Sequence, residues 1–337
     1  MRVLIPKPAG KKCGSILTRA ENSRMIICGI GLSAGERGNA DRMAKAPAEG
    51  GPVYDPDSCC DLHELRSRPL CGPPLSGEWS MRITALLENT SACGLPTEHG
   101  LSLFVEMEGH RFLFDMGQTD LFARNAETLG IDLSTIDFAV LSHGHYDHGG
   151  GLRTFFSLNS HAPVYMSRHA FEPHYNGTEK YIGLDRSLAD SDRIIFVDEE
   201  KSIAEGITLY GCHHASKVMD FGSCGLNMIQ EGKMLEDDFR HEQYLLVEED
   251  GKKILFSGCS HRGILNIMHW FHPDILIGGF HLSKFPMDET LAGIAKELDA
   301  YPTAYYTGHC TGTEQYRFLK ENMKNLHYLS TGECIVV

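Results

Sequence analysis

No stretch of this chain is apolar enough, for long enough, to cross a bilayer as a helix. The longest uncharged run near the start, MIICGIGLSAG from Met25 to Gly35, is too short to span. It also begins too far from the N-terminus, and lacks the small-residue cleavage site, of a secretory leader. Among eleven cysteines there is no CxxC pair and no repeated spacing, which excludes the disulfide framework of a small secreted domain. The odd count, with several cysteines beside histidines, fits a reducing compartment. An excess of positive charge is missing too: 31 Lys and Arg against 45 Asp and Glu leave a net charge of −14. That balance argues against a nucleic-acid or anionic-membrane partner. The expectation is a cytoplasmic protein.

With 337 residues, 42% of them hydrophobic and 23% charged, the chain can bury a full core as one large domain or two modest ones. Its two parts differ. Residues 1–80 hold 11 Lys and Arg against 9 Asp and Glu, are rich in Gly, Pro and Ala, and carry five cysteines without a helical or strand period. Stretches such as AKAPAEGGPVYDP and RSRPLCGPPLSGEWS predict loop or disorder. Met81 then opens a strand-like segment, and the Gly77-Glu78 pair just upstream can be encoded by a ribosome-binding sequence in a bacterial gene. Residues 1–80 are therefore expected to be a disordered extension, or one produced by the choice of start codon. Residues 81–337 are expected to form the folded domain.

From Met81 onward the pattern sharpens. MRITALLEN alternates like a strand, and LSLFVEME-GH-RFLFDMG predicts a hairpin around a short glycine-containing turn. Residues 119–129 predict a helix that ends at a glycine. IDFAVLSH predicts a buried strand, and EQYLLVEEDGKKILFSG a second hairpin with an Asp-Gly turn. PDILIGGFH and PTAYYTGH predict strands, DETLAGIAKELDAY and TEQYRFLKENMK helices, and ECIVV a closing strand. Hairpins interleaved with helices in two similar halves predict an α/β fold of two sheets packed face to face, with helices outside.

The buried strand delivers LSHGHYDHGGGL, which packs His143, His145, Asp147 and His148 into six residues. His143 and His145 are two apart, so at a strand end both point to one side, and Asp147 and His148 turn under them. Neutral imidazole and carboxylate are ligands for zinc, iron or manganese, and two pairs of ligands offer two adjacent centres. Gly149 to Gly151 would let the backbone turn tightly into the next helix.

LSHGHYDHGGG, preceded by LFDMG, resembles the signature of the metallo-β-lactamase superfamily, over about residues 81–337. The resemblance implies an αββα sandwich with the metals at one edge of the two sheets. It implies that His143 and His145 hold one divalent metal, that Asp147 and His148 hold a second, and that a hydroxide bridges them. Asp115, in FDMG, resembles the buried aspartate that braces the metal loop.

The remaining ligands must come from the C-terminal half. Where relatives write SGD or TGD, this chain has SGCSH, so Cys259 stands in place of the bridging aspartate. Cys259 could ligate as a thiolate, or His261, two residues on and on the same face, could take over; His261 is favoured. His309, in TGHCTGTE, resembles the last ligand motif, and His281, at the end of GGFH, is expected to contact substrate or brace a ligand. The usual middle histidine in a GHT motif is missing. His213, His214 and His241 fall in that region; His241, in FRHEQYL close to the hairpin strand, could replace it, but all three read first as ordinary loop or surface histidines, as do His161, His169, His174, His269, His272 and His327. Arg262 and the Gly and Thr residues around His309 could hold a phosphate oxygen, although the latter could equally form only a turn. RHAFEPHYNGTEKYIGLDRS, residues 168–187, reads as a pocket wall or a surface insertion.

SGCSHRGILNI, IGGFHL, TGHCTGTEQYRFLK and the closing LSTGE resemble the branch named for dihydropterin-6-yl-methyl-ribofuranosylaminobenzene phosphate synthase, which also contains metal-dependent hydrolases. The leading expectation is a binuclear hydrolase of a small phosphate-containing or cyclic ester substrate. Metal-bound hydroxide would be its nucleophile, and Asp147 would orient that nucleophile. The alternatives are the synthase reaction, in which the metals activate a diphosphate leaving group, and a mononuclear iron oxygenase acting on sulfur. Two zinc ions are the expected cofactors, with iron or manganese as substitutes, and the expected substrate is anionic.

Overall fold

The structure is a computed structural model in which residues 81–337 are described; the expectations for residues 1–80 lie outside them. In chain order the strands are β1 (Arg82–Leu87), β2 (Ser102–Met107), β3 (His110–Phe114), β4 (Phe138–Val140), β5 (Val164–Ser167) and β6 (His174–Asn176). Next come β7 (Lys180–Tyr181), β8 (Ile194–Val197), β9 (Glu200–Ala204), β10 (Ile207–Tyr210), β11 (Leu226–Gln230) and β12 (Lys233–Glu236). The last six are β13 (Tyr244–Glu249), β14 (Lys252–Ser257), β15 (Ile275–Ile277), β16 (Ala304–Thr307), β17 (Leu326–Tyr328) and β18 (Cys334–Val336). The α-helices are α1 (Leu121–Thr128), α2 (Tyr146–Gly149), α3 (Leu152–Leu158), α4 (Ile264–Phe271), α5 (Glu289–Asp299) and α6 (Thr313–Asn322).

Two seven-stranded sheets form the centre, in the orders β18-β1-β2-β3-β4-β5-β8 and β17-β16-β15-β14-β13-β10-β9. Each begins with an antiparallel hairpin and continues as parallel strands: β3, β4, β5 and β8 run together in the first sheet, and β14 through β17 in the second. The two hairpins lie where the sequence places them, β2–β3 and β13–β14. Phe112, Phe114, Val140 and Ile83 from one sheet pack against Phe256, Leu245, Ile254 and Ile277 from the other. Phe256 meets Phe112 edge-on, with ring centroids 5.7 Å apart, and tilts against Phe114 at 5.5 Å. Each such fully buried side chain contributes about 1.5–3 kcal/mol by leaving water.

The apolar stripes of α1 and α3 cover the outer face of the first sheet, and α4, α5 and α6 cover the second. Asp288 caps α5 by accepting a hydrogen bond from the Thr290 amide. The result is the expected αββα sandwich. Residues 168–187 do more than decorate it: β6 and β7 join β11 and β12 in a four-stranded sheet. An isolated bridge pairs Gly183 with His145. No helix among the described residues is long and apolar enough to cross a membrane.

Candidate metal centre

Parallel strands deliver their C-terminal ends to the same sheet edge, and this chain places its ionisable residues there. Asp115 follows β3, the His143–His148 motif follows β4, and Cys259 to Arg262 follow β14. His281 follows β15, and His309 follows β16. Four residues at these turns hold left-handed backbone without being glycine: Asp115 (φ 59°), Ser260 (58°), His281 (54°) and His309 (49°). Each such conformation costs about 1–3 kcal/mol, and such strain clusters where side chains must be aimed.

The first donor set gathers around His148. Its Nδ1 lies 2.7 Å from Asp115 Oδ2, a carboxylate that also accepts from the Ser142 amide and hydroxyl, each at 2.7 Å. A carboxylate oxygen only accepts, so the His148 proton sits on Nδ1 and Nε2 is left with its lone pair. His309 is prepared in the same way: its Nδ1 lies 2.9 Å from Asn89 Oδ1. The two bare nitrogens, His148 Nε2 and His309 Nε2, then face each other at 3.0 Å. Cys259 Sγ is 3.1 Å from His148 Nε2, and Asp147 Oδ2 is 3.5 Å from His309 Nε2.

The second set gathers around His143. The single Ser142 hydroxyl proton goes to Asp115, so that oxygen accepts from His143 Nδ1 at 2.8 Å. His143 Nε2 is therefore bare, 3.3 Å from His261 Nε2. Cys259 lies within reach of this pair as well. The His145 ring stands 4.6 Å from the His143 ring and 4.9 Å from that of His261, centroid to centroid. Glu242, fully buried, anchors the turn by accepting from the amides of His261 (2.7 Å) and Arg262 (2.9 Å) and from the Tyr244 hydroxyl (2.7 Å).

Electrostatics prepares these groups as ligands. Burial, reinforced by neighbouring imidazoles, holds His143, His145 and His261 well below the ordinary histidine value, so all three are neutral at pH 7. Burial opposes ionisation of Asp147, but His148, His309 and His99 outweigh it and hold the carboxyl well below its usual range. Burial pushes the Cys259 thiol well above its ordinary value. A cation among these donors is what would hold it as thiolate. Two pairs of lone pairs facing each other inside the protein, next to a carboxylate and a thiol, are a donor set that suits a divalent metal.

Both sets open on one cavity of about 320 Å³, lined by His99, His145, Asp147, Cys259, His261, His281 and His309. Tyr146, Asn176, Lys180, Ile182, Ser283 and Lys284 stand in its walls beside Asn89, Leu226, Cys310 and Gly312.

A sequence profile of the metallo-beta-lactamase superfamily matches residues 95–292. The chain belongs to this superfamily. An uncharacterised protein of Methanocaldococcus jannaschii, MJ0448, is 28% identical over 262 residues, covering 75% of this chain and 99% of that protein. From the same organism, 7,8-dihydropterin-6-methyl-4-(beta-D-ribofuranosyl)-aminobenzene-5'-phosphate synthase is 25% identical over 283 residues, covering 76% and 96%. Among solved structures, Tm1679, described as a metal-dependent hydrolase of the beta-lactamase superfamily, is 30% identical with a TM-score of 0.66, covering 76% of this chain and 99% of that one. The fold protein YhfI of Bacillus subtilis is similar in fold, at 12% identity and a TM-score of 0.51, covering 77% of this chain and 100% of that one.

Within this metallo-beta-lactamase fold the structure brings together His143, His145, Asp147, His148, Cys259, His261 and His309, with Asp115 bracing the loop beneath. Cys259 and His261 do not exclude one another: each belongs to a donor set, and Cys259 lies between the two. His281 lines the cavity, its ring 4.2 Å from that of His261. Arg262 does not. Its Nη2 donates to the His213 carbonyl, its guanidinium lies over Trp270, and it lines a separate cavity with His169 and Arg240. The β14 turn points successive side chains to opposite sides, so an arginine next to a ligand faces away from it. Gly149 to Gly151 are also needed for a different reason than expected. Gly150 and Gly151 have ordinary helical φ values of −62° and −73°, but a Cβ on either would collide with the carbonyl oxygens of Gln118 and Met116.

His174 and His241 are not surface histidines; both are fully buried directly behind His145. Sequence reasoning kept His241 only as a possible stand-in for the middle histidine and missed His174, together with Asp237, Glu88, Asn89, His99 and Glu242, because each reaches the site from a distant segment. Glu88 and Asn89, just past β1, hold the His309 amide and ring. His99 Nε2 lies 3.2 Å from Asp147 Oδ2.

Proposed function

We propose that this chain is a metal-dependent hydrolase with two divalent ions, zinc foremost, acting on a small phosphate-containing or cyclic ester substrate. His148, His309, Cys259 and Asp147 would hold one ion, and His143, His145 and His261 the other, with Cys259 next to both. The observation that carries this reading is the approach of His148 Nε2 and His309 Nε2 to 3.0 Å while each ring's other nitrogen is already committed. A mixed set of imidazole, thiol and carboxylate suits zinc. Ions held there would supply Lewis acidity to a phosphoryl or carbonyl oxygen and lower the pKa of a nearby water.

The chain's own residues do the rest. Lys180 and Lys284 stand in the cavity wall and match a substrate anion, while Asn176 and Ser283 offer neutral hydrogen bonds beside them. Tyr146 and Ile182 form an apolar side of the same wall. Asp147, ionised and paired with His99 and His309, would orient the nucleophile.

The test is metal analysis joined to turnover. Two zinc ions per chain are expected, with hydrolysis of a phosphodiester or lactone panel that a chelator abolishes and zinc restores. One iron per chain would overturn the binuclear reading in favour of a mononuclear oxygenase. A synthase reading is favoured by the dihydropterin relative, whose length the chain matches over 96%. Diphosphate release from a dihydropterin diphosphate only when an aminobenzene acceptor is present would select it.

A further inference from the structure

Arg262, turned away from the donor sets, stands in the wall of a second cavity of about 700 Å³ together with His169, His213, Lys217 and Arg240. That volume suits a small molecule. The basic part of the wall is continuous. Arg262 Nη2 donates to the His213 carbonyl at 3.2 Å, and the His213 ring stands 5.9 Å from that of His169. His169 Nδ1 and Arg240 Nε then share the Glu172 carboxylate, at 2.9 and 3.0 Å. Three other carboxylates line the cavity, but they lie toward solvent: the Asp198, Asp238 and Glu199 side chains are 60%, 56% and 46% exposed, against 5% for Arg262. Asp198 already pairs with Arg168 and Glu199 with His214, and Asp238 reaches Arg240 only at 3.8 Å.

Three buried polar atoms of this wall have no hydrogen-bond partner among the described residues: Arg262 Nε, Arg240 Nη2 and His213 Nδ1. The first two are charged donors. A buried polar group left unpaired costs about 1–3 kcal/mol, more when it is charged, and an oxyanion is the partner that guanidinium geometry matches. His213 is of the opposite kind. Its Nε2 lies 3.0 Å from the Asp198 carbonyl oxygen, which only accepts, so the ring proton sits on Nε2. Burial holds this histidine below its ordinary value, and Nδ1 therefore keeps its lone pair at pH 7. Two cationic donors and one acceptor call for an anion that also carries a proton of its own.

We propose that this cavity binds a small oxyanion bearing an O–H, hydrogen phosphate being the simplest case, with Arg240 and Arg262 donating to its oxygens and His213 Nδ1 accepting its proton. The exposed Lys217 adds positive charge to the same wall. The site is separate from the metal centre and stands whether that centre holds two ions, one or none. The two are nevertheless neighbours along the chain, since the amides of His261 and Arg262 both donate to Glu242. Sulfate has the shape and charge of hydrogen phosphate but no proton, so the His213 lone pair discriminates against it.

The experiment titrates the zinc-loaded full chain with inorganic phosphate and, separately, with sulfate. Calorimetry counts the sites, and the fluorescence of Trp270 locates one of them, because the Arg262 guanidinium lies 5.7 Å from the centre of its ring. The only other tryptophan is Trp79, so a Trp79→Phe background leaves Trp270 as the sole emitter. Saturable phosphate binding that shifts Trp270 emission is expected, with sulfate about tenfold weaker or more. Arg240→Gln is expected to weaken that phosphate site about 10–100-fold. His213→Phe is expected to abolish the preference for phosphate over sulfate, a change that a merely structural role would not produce. Circular dichroism shows whether each variant is folded, and the two variants guard against loss of one. Absence of a phosphate site in the wild type by calorimetry would overturn the proposal, as would equal affinity for sulfate or unchanged binding in both folded variants. So would a single phosphate site that Lys284→Ala removes and Arg240→Gln leaves intact, which would place the anion in the metal cavity.

Discussion

His148 Nε2 and His309 Nε2 face each other across 3.0 Å, and while both rings are neutral neither donates to the other. Asp115 holds the second nitrogen of one ring and Asn89 that of the other. Two lone pairs at that distance call for a cation between them: a proton on His148, whose pKa Asp115 raises against the effect of burial, or a metal ion that competes with that proton. The residues that create this arrangement are the ones whose substitution is most informative.

Cys259 lies between the two donor sets. Cys259→Ala is expected to lose one of two zinc equivalents, because its set keeps only His148, His309 and Asp147. Cys259→Asp restores a donor of similar reach and is expected to keep both. Metal content after dialysis against buffer distinguishes the two. An alanine variant that still holds two equivalents would remove Cys259 from the ligands.

Asn89 lines the cavity and accepts from His309 Nδ1, which holds the tautomer of that ring. Asn89→Ala is expected to weaken metal binding about 10–100-fold, as loss of a supporting hydrogen bond does in other metal sites. A competing chelator titration reads the change. Asn89→Asp, which still accepts from Nδ1, is expected to recover most of it.

Lys180 and Lys284 are expected to act on binding of the substrate anion and not on chemistry. Lys180→Ala and Lys284→Ala should each raise KM about tenfold with kcat within a factor of about three, since a lost interaction common to ground and transition states appears in KM. Steady-state kinetics with an anionic and a neutral ester separates the effects. An equal loss on the neutral ester would show that neither lysine reads the charge.

Gly150→Ala and Gly151→Ala should each cost about 2 kcal/mol or more, because the added methyl meets rigid carbonyl oxygens of Gln118 and Met116 and not flexible side chains. A fall in Tm for each is expected. Gly130→Ala, with open space around its Cβ but φ of 74°, isolates the different cost of left-handed backbone.

His143, His145 and His261 are held well below the ordinary histidine value by burial first and by neighbouring imidazoles next. As pH falls, the unfolded chain therefore takes up protons before the folded one does. The stability of the metal-free protein is expected to be full above about pH 6.5, the unfolded value, and to decline below it. Urea midpoints at pH 7.5 and 5.5 measure this. Zinc should raise both midpoints and steepen the acid loss, since protons and metal compete for the same nitrogens.

The local pattern was enough to recognise much of this molecule. Short apolar runs in MRITALLEN and in the two hairpins, bounded by turn residues, announced β1, β2–β3 and β13–β14, because strand length and turn chemistry are properties of neighbouring residues. The six-residue motif announced four candidate donors because their spacing along one strand end and one helical turn already places them together. By contrast, a short apolar run such as FAV in β4 does not reveal that it lies parallel between β3 and β5.

What lay beyond the sequence was everything assembled across distance. Asn89 meets His309, Asp237 meets His174, and Glu242 meets the His261 amide across separations of 220, 63 and 19 residues. No periodicity relates such pairs. Arg262 shows the converse, since adjacency to a ligand in sequence did not bring it into the cavity. The sequence by itself determined which atoms were available to bind a metal and which elements would carry them. The tertiary structure decided which nitrogen of each histidine is bare, because that depends on the donor or acceptor that the fold packs against the other side of the ring.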